Sequence, residues 1–326
     1  MKKIISILMV SLMVLTLFAV TGCQKAEPTL KIGLGVYTSV SATDATADKA
    51  GQGQATITAA AVLVDGEGKV VKAFLDCADN KVGYTEEGFA VANDSFMTKY
   101  ESGADYNMVA YGGAAKEWFE QADAFCALIV GKTADEIKAL VAEDAKGTEE
   151  VITAGCTIYV AEFANALEKA IANAVDSNAT KNDTLKLGIT TSQTITDATE
   201  DKNGSNKVET TFFAAAVNAE GKVVAASSDC VEVTFGFDLT GKSTFDTAME
   251  VLSKKEKGDN YGMKAYGGSA KEWYEQAAAF DAACIGKTAA EIAGLVAEDS
   301  KGNADLQAAG CTIMVSDLVK AASKIG

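Results

Sequence analysis

The chain has 326 residues, of which 48% are hydrophobic, and a formal net charge of −16. That acidity disfavours nucleic acid and anionic membrane surfaces as partners. The sequence contains no histidine, which excludes a histidine general base, a histidine metal ligand and a Ser-His-Asp triad.

Lys2 and Lys3 precede an apolar run over residues 4–19, which ends in Val20-Thr21-Gly22-Cys23. The run is too short to span a bilayer stably, so residues 1–23 read as a signal peptide of the lipoprotein kind. The order Val-Thr-Gly-Cys resembles the bacterial lipobox, which implies cleavage before Cys23 and lipidation of its sulfur. Residues 24–29 form a linker holding Pro28, the sole proline. Extended, it reaches about 20 Å, so the folded part is expected close to a membrane.

The remaining residues repeat. Leu30-Lys31-Ile32-Gly33 aligns with Leu185-Lys186-Leu187-Gly188. Over residues 106–158 about two thirds of the positions match their counterparts. Upstream the match is looser: Asp76-Cys77 aligns with Asp229-Cys230, but Lys72-Ala73-Phe74-Leu75 faces Ala225-Ala226-Ser227-Ser228. We read residues 30–175 and 185–326 as two tandem homologous domains, each large enough to own a core, with 176–184 as a linker.

Within each repeat the periodicity changes. Ile57, Ala59, Ala61 and Leu63 alternate, and a glycine turn at Gly66 and Gly68 leads to a second run at residues 70–75, a hairpin. From Ala114 onward Trp118, Ala122 and Phe125 share a helical face, as do Trp273, Ala277 and Phe280. Thr133 and Thr288 open capping boxes before short helices. A last helix is expected over residues 157–174, with Val160, Phe163, Leu167 and Ile171 inward. Hairpin first and helices afterwards makes each repeat α+β, an antiparallel sheet with packed helices.

Three motifs have plain readings. Gly131-Lys132-Thr133 has the tail of a phosphate-binding loop, but Cys126 stands where that loop needs its first glycine. The seven cysteines show no Cys-x-x-Cys spacing, so no metal site is assigned. Apart from Cys23 they fit either buried thiols or the pairs Cys77–Cys156 and Cys230–Cys311. Tyr111-Gly112-Gly113 and Tyr266-Gly267-Gly268 precede the tryptophan helices. Such turns suit either close approach to a flat ring, with Tyr and Trp stacking on it, or a helix entry beside a core Trp. Lys99, Glu101, Gly103, Tyr106 and Met108 recur as Lys254, Glu256, Gly258, Tyr261 and Met263, a dense match for a loop.

Ala154-Gly155-Cys156-Thr157-Ile158 recurs letter for letter as Ala309-Gly310-Cys311-Thr312-Ile313. Each Thr is either a helix N-cap or the anchor of a phosphorylated group, which a helix N-terminus would stabilise. The element resembles the Ser-Gly-Ala-Thr flavinylation motif of FMN-binding domains, found in subunits of Rnf and sodium-pumping quinone reductases. With the lipobox and tandem arrangement, the whole mature chain resembles the PplA-type lipoproteins of flavin-based extracellular electron transfer. Ala154 and Cys156, with Ala309 and Cys311, depart from the motif's Ser and Ala.

The resemblance implies two FMN groups, joined by phosphodiesters to Thr157 and Thr312 by an FMN transferase. Gly155, Cys156, Tyr106, Met108, Tyr111, Gly112 and Trp118 would surround the first. Gly310, Cys311, Tyr261, Met263, Tyr266, Gly267 and Trp273 would surround the second. It also implies a carrier at the extracytoplasmic face of a bacterial membrane. Electrons would arrive from a quinol pool fed by an NADH dehydrogenase and leave to acceptors such as ferric iron. The competing expectation is a solute-binding or sensing lipoprotein with tandem clefts and no flavin.

Overall fold

The computed structural model describes residues 28–326; the expected signal peptide and lipidation site at Cys23, and most of the expected linker before the first repeat, lie outside the described residues. The protein is α+β, with two antiparallel sheets and packed helices. In the first repeat β1 (Lys31–Thr43), β2 (Gly51–Val64) and β3 (Val70–Tyr84) form a meander, extended by the short β4 (Ala90–Val91). The helices are α1 (Lys99–Ser102), α2 (Trp118–Leu128), α3 (Ala134–Lys138), α4 (Glu149–Ala154) and α5 (Ala161–Ala172). The second repeat follows the same plan after the short β5 (Val175–Asp176), which pairs with β1. Its strands are β6 (Thr184–Thr196), β7 (Gly204–Val217) and β8 (Val223–Phe237). Its helices are α6 (Lys254–Lys257), α7 (Trp273–Cys284), α8 (Ala289–Ile292), α9 (Ala304–Ala308) and α10 (Ser316–Ser323).

The expected hairpin is β2–β3, with Leu63 opposite Lys72 and a bulge before Val64. Successive side chains of a strand face opposite ways, and β2 buries both faces. Ala59, Ala61 and Leu63 enter a central core, whereas Ala60, Val62 and Val64 enter a second core under the helices. β7 divides in the same way, Phe212 and Ala214 inward and Phe213 and Ala215 toward its helices. The layers therefore run helices, sheet, sheet, helices. Each repeat keeps a helical-side core, and the sheets share the central one.

The halves meet as counterparts. Tyr84 stacks on Phe237, its own equivalent, with centroids 4.6 Å apart and planes 8° from parallel. Lys169 pairs with Glu256 at 2.5 Å, and the equivalent Lys324 pairs with Glu101 at 2.5 Å. A contact exchanged in this way is the signature of an isologous, two-fold-like interface. Residues 177–183 are tied down too: Leu30 N–H donates to the carbonyl of the fully buried Ala179.

Glycine sets the helix-to-sheet spacing. A Cβ on Gly33 or Gly35 would strike the α5 backbone at Ala170 or Ala166, so α5 lies directly on β1. Among the described residues, no helix is long and apolar enough to cross a membrane.

Candidate functional site

The Lys-Glu-Trp segment opening α2 builds most of the site. Glu117 is the N-cap and exchanges capping-box hydrogen bonds with Glu120. Its carboxylate also accepts from the N–H groups of Met108 and Val109, at 2.9 and 3.2 Å, which holds the preceding loop on the helix. Trp118, buried, points at the sheet and meets Phe163 edge-on at 5.6 Å. One turn further on, the buried Gln121 donates to the Lys116 carbonyl at 3.0 Å and turns its oxygen toward Thr157. Gln121 Oε1 accepts from Thr157 N at 2.8 Å and from Thr157 Oγ1 at 3.1 Å.

Thr157 itself is exposed. Gly155, at φ 100°, ends α4 in the left-handed conformation that suits glycine. Cys156 then turns inward to full burial, and its N–H returns to the Val151 carbonyl. A side chain on Gly155 would meet the Lys116 ammonium, so that cation lies against the Gly-Cys-Thr turn.

The helix expected to begin at Thr157 begins at Ala161. The reason is local: the Ala145 carbonyl accepts from both Val160 and Ala161 N–H, which keeps residues 157–159 out of the helix. Ala145 is held at φ 66° to do so, an unusual conformation for a residue with a side chain. Thr157 therefore does not stand at a helix N-terminus, and the nearest cation shown at its turn is Lys116. The second repeat reproduces the arrangement. Gln276 Oε1 accepts from Thr312 N at 2.8 Å and Oγ1 at 2.9 Å, Gly310 has φ 97°, Lys271 lies over it, and Ser300 has φ 65°.

Beside Thr157 opens a cleft of 510 Å³ lined by Tyr106, Met108, Trp118, Ile158, Tyr159 and Lys99 among others. Lys99 Nζ stands 5.3 Å from the Tyr106 ring and 5.8 Å from the Trp118 ring. Tyr111 and Tyr266 are placed differently: they are 87% and 93% exposed, and Tyr111 does not line this cleft. Gly112 and Gly267 press on the carbonyls of Met108 and Met263, so these glycines close their own loops.

The second site differs in charge. Lys254, equivalent to Lys99, is buried and bonds Glu209 at 2.7 Å and Glu232 at 3.4 Å, below the Tyr261 and Trp273 rings. Lys207 bridges the same two carboxylates. Burial would raise the Glu232 pKa, but Lys254, Lys207 and the Tyr261 hydroxyl outweigh it and hold the carboxyl at about 2. In the first repeat Thr56 and Asp79 stand in place of the two glutamates.

The six cysteines among the described residues are free and buried. Burial pushes Cys77 and Cys126 up to about 12 and Cys156 and Cys311 up to about 11, so none presents a thiolate near neutral pH. Asp76 and Asp229 each hold a turn: their carboxylates accept from the N–H groups of Cys77 and Tyr100, and of Cys230 and Lys255.

The sequence marks Lys116, Glu117 and Gln121 as part of the shared Lys-Glu-Trp-(Phe/Tyr)-Glu-Gln segment but assigns them no task, and it does not single out Ala145. The available signal was the identity of Lys-Glu-Trp and Glu-Gln in both repeats, which includes polar residues that the fold buries.

No protein-family model matches the chain, and no solved structure matches it. Over 119 residues it is 32% identical to a chlorophenol reductase from Desulfitobacterium hafniense, a stretch covering 33% of this chain. The match takes in 36% of that protein, so the chain spans little more than a third of the length of this curated relative.

Proposed function

We propose that the protein is an electron carrier holding FMN covalently on Thr157 and Thr312, anchored by lipid on Cys23 at the extracytoplasmic face of a bacterial membrane. One observation carries the reading: an exposed threonine, fixed by a buried glutamine, follows a glycine turn covered by a lysine ammonium and directly precedes an isoleucine that lines an aromatic cleft. The donor set fits the group. Thr157 offers an accessible hydroxyl, Lys116 a counter-charge for a phosphodiester, and Trp118, Tyr106 and Met108 apolar surface for a flat ring. The cleft volume falls within the roughly 300–1,000 Å³ of small-molecule sites.

Each residue has a stated task. Gln121 fixes the Thr157 backbone, and its bond from Thr157 N–H survives esterification of the hydroxyl. Glu117 holds Met108 and Val109 against α2 and so sets one wall of the cleft. Lys99 places a cation over the Trp118 and Tyr106 faces, whereas Lys254 is neutralised by two carboxylates. A bound flavin would supply the redox chemistry, and these residues its position and electrostatics. The unequal charges support different potentials at the two sites. Covalent attachment suits an exported protein, and two attachment points on one chain keep both groups at high effective concentration. The natural partners are an FMN transferase, a membrane quinol system fed by an NADH dehydrogenase, and external acceptors such as ferric iron. The chlorophenol reductase shares too little of its length for its substrate to be carried over.

Visible absorbance of protein from cells containing the transferase tests the reading. A yellow colour that persists through denaturation is expected. A colourless protein would favour a solute-binding lipoprotein instead.

A further inference from the structure

A second cavity, of 570 Å³, lies where the first repeat meets the second, against β8 and α7. Its origin is visible by comparing the repeats. In the first, Phe74, Tyr100 and Phe119 fill the corresponding place, with ring centroids 4.8 and 5.9 Å apart. Their counterparts are Ser227, Lys255 and Tyr274, and Leu75 and Cys126 become Ser228 and Asp281. An apolar plug has been exchanged for an opening with a polar wall.

That wall is incompletely paired. Asp281 is buried; its Oδ2 accepts from Ser228 N–H at 3.0 Å, while Oδ1 has no hydrogen-bond partner. Ser228 Oγ is likewise buried without a partner. Lys255 Nζ donates to Ser227 Oγ at 3.0 Å on the same wall. Leaving buried polar atoms bare is costly, whereas apolar groups of the same shape would not be. Ile32, Val224 and Ile285 supply apolar surface on the other sides, and Asn173, Ser177 and Asn178 add further polar groups.

We propose that this cavity binds a small uncharged molecule with an apolar body and a hydroxyl head. A hydroxyl both donates, as Asp281 requires, and accepts, as Lys255 requires. Lys255, the one ammonium of the lining, acts on the Asp281 carboxylate, and Glu256 and Asp176 are already paired with Lys169 and Lys31, so the lining leaves no cation over for an anionic ligand. The site shares no lining residue with the cleft beside Thr157 and stands independently of the flavin reading.

Calorimetric titration of the full chain with 2-naphthol, a flat apolar body with one hydroxyl, tests the proposal. One equivalent is expected to bind, with 2-methylnaphthalene and 2-naphthoate each at least about tenfold weaker. Ser227→Phe should abolish binding, and Asp281→Cys should weaken it at least about tenfold. Each variant carries the residue that the first repeat already holds at that place. Absence of binding by the wild type, equal affinity for 2-methylnaphthalene, or unchanged affinity in Asp281→Cys would each overturn the proposal.

Discussion

Gln121 Oε1 accepts both the N–H and the hydroxyl of Thr157, and Gln276 does the same for Thr312. One buried amide thus determines where each threonine stands. The Gly-Cys-Thr turn has no regular secondary structure of its own, so its geometry depends on that oxygen, the glycine and the lysine beneath.

Removing the amide should therefore loosen one site and spare the other. Gln121→Leu is expected to cost about 1–2 kcal/mol in urea denaturation. Mass spectrometry of the tryptic fragments should show modification at Thr157 reduced and at Thr312 unchanged. Gly155→Ala should cost about 1–2 kcal/mol, because alanine is disfavoured at φ 100° and its methyl displaces Lys116. Equal loss of modification at both threonines would contradict this local control.

The aromatics separate into two classes. Trp118 lines the cleft, whereas Tyr111 stands in solvent. In a Trp273→Phe background, Trp118 emission should be strongly quenched in the flavin-loaded form and recover in the form from a transferase-deficient host. Tyr111→Ser should alter stability by less than about 0.5 kcal/mol and leave the quenching unchanged. Identical Trp118 emission from both forms would place the ring elsewhere.

Burial raises the Asp76 pKa from 3.8 to about 6 against hydrogen bonds from Thr98, Tyr100 and Cys77. The raised value fixes the sign of the pH dependence. Below pH 3.8 the group is protonated in both states and its contribution is complete. As pH rises toward 6 the unfolded chain gives up its proton first, and stability is lost. The loss amounts to about 3 kcal/mol for a shift of this size. Asp76→Asn should therefore gain stability relative to wild type between pH 3.8 and pH 7, as read by urea denaturation at each pH. A constant difference between the two proteins would contradict the assignment.

Some of this was legible in the sequence, and the exceptions have physical causes. The hairpin and the Trp helix follow from alternation and from the spacing of Trp118, Ala122 and Phe125. The boxes at Thr133 and Thr288 follow from Glu three residues later, and both are formed. The start of α5 was misplaced because Thr157 after a glycine imitates an N-cap, while the Ala145 carbonyl that delays the helix comes from a distant loop. The shared central core was hidden because Ala59, Ala60 and Ala61 show no polar contrast between faces. Glu117 and Gln121 recur in both repeats, but only the folded loops that cover them make them positioning groups.

The central claim is that each repeat carries one FMN on its own threonine. Intact-mass measurement of protein from cells with the transferase tests it, comparing wild type with Thr157→Ala, Thr312→Ala and the double variant. The account predicts two additions of FMN less water in wild type, one in each single variant and none in the double. Two additions in both single variants, or none in wild type, would contradict it.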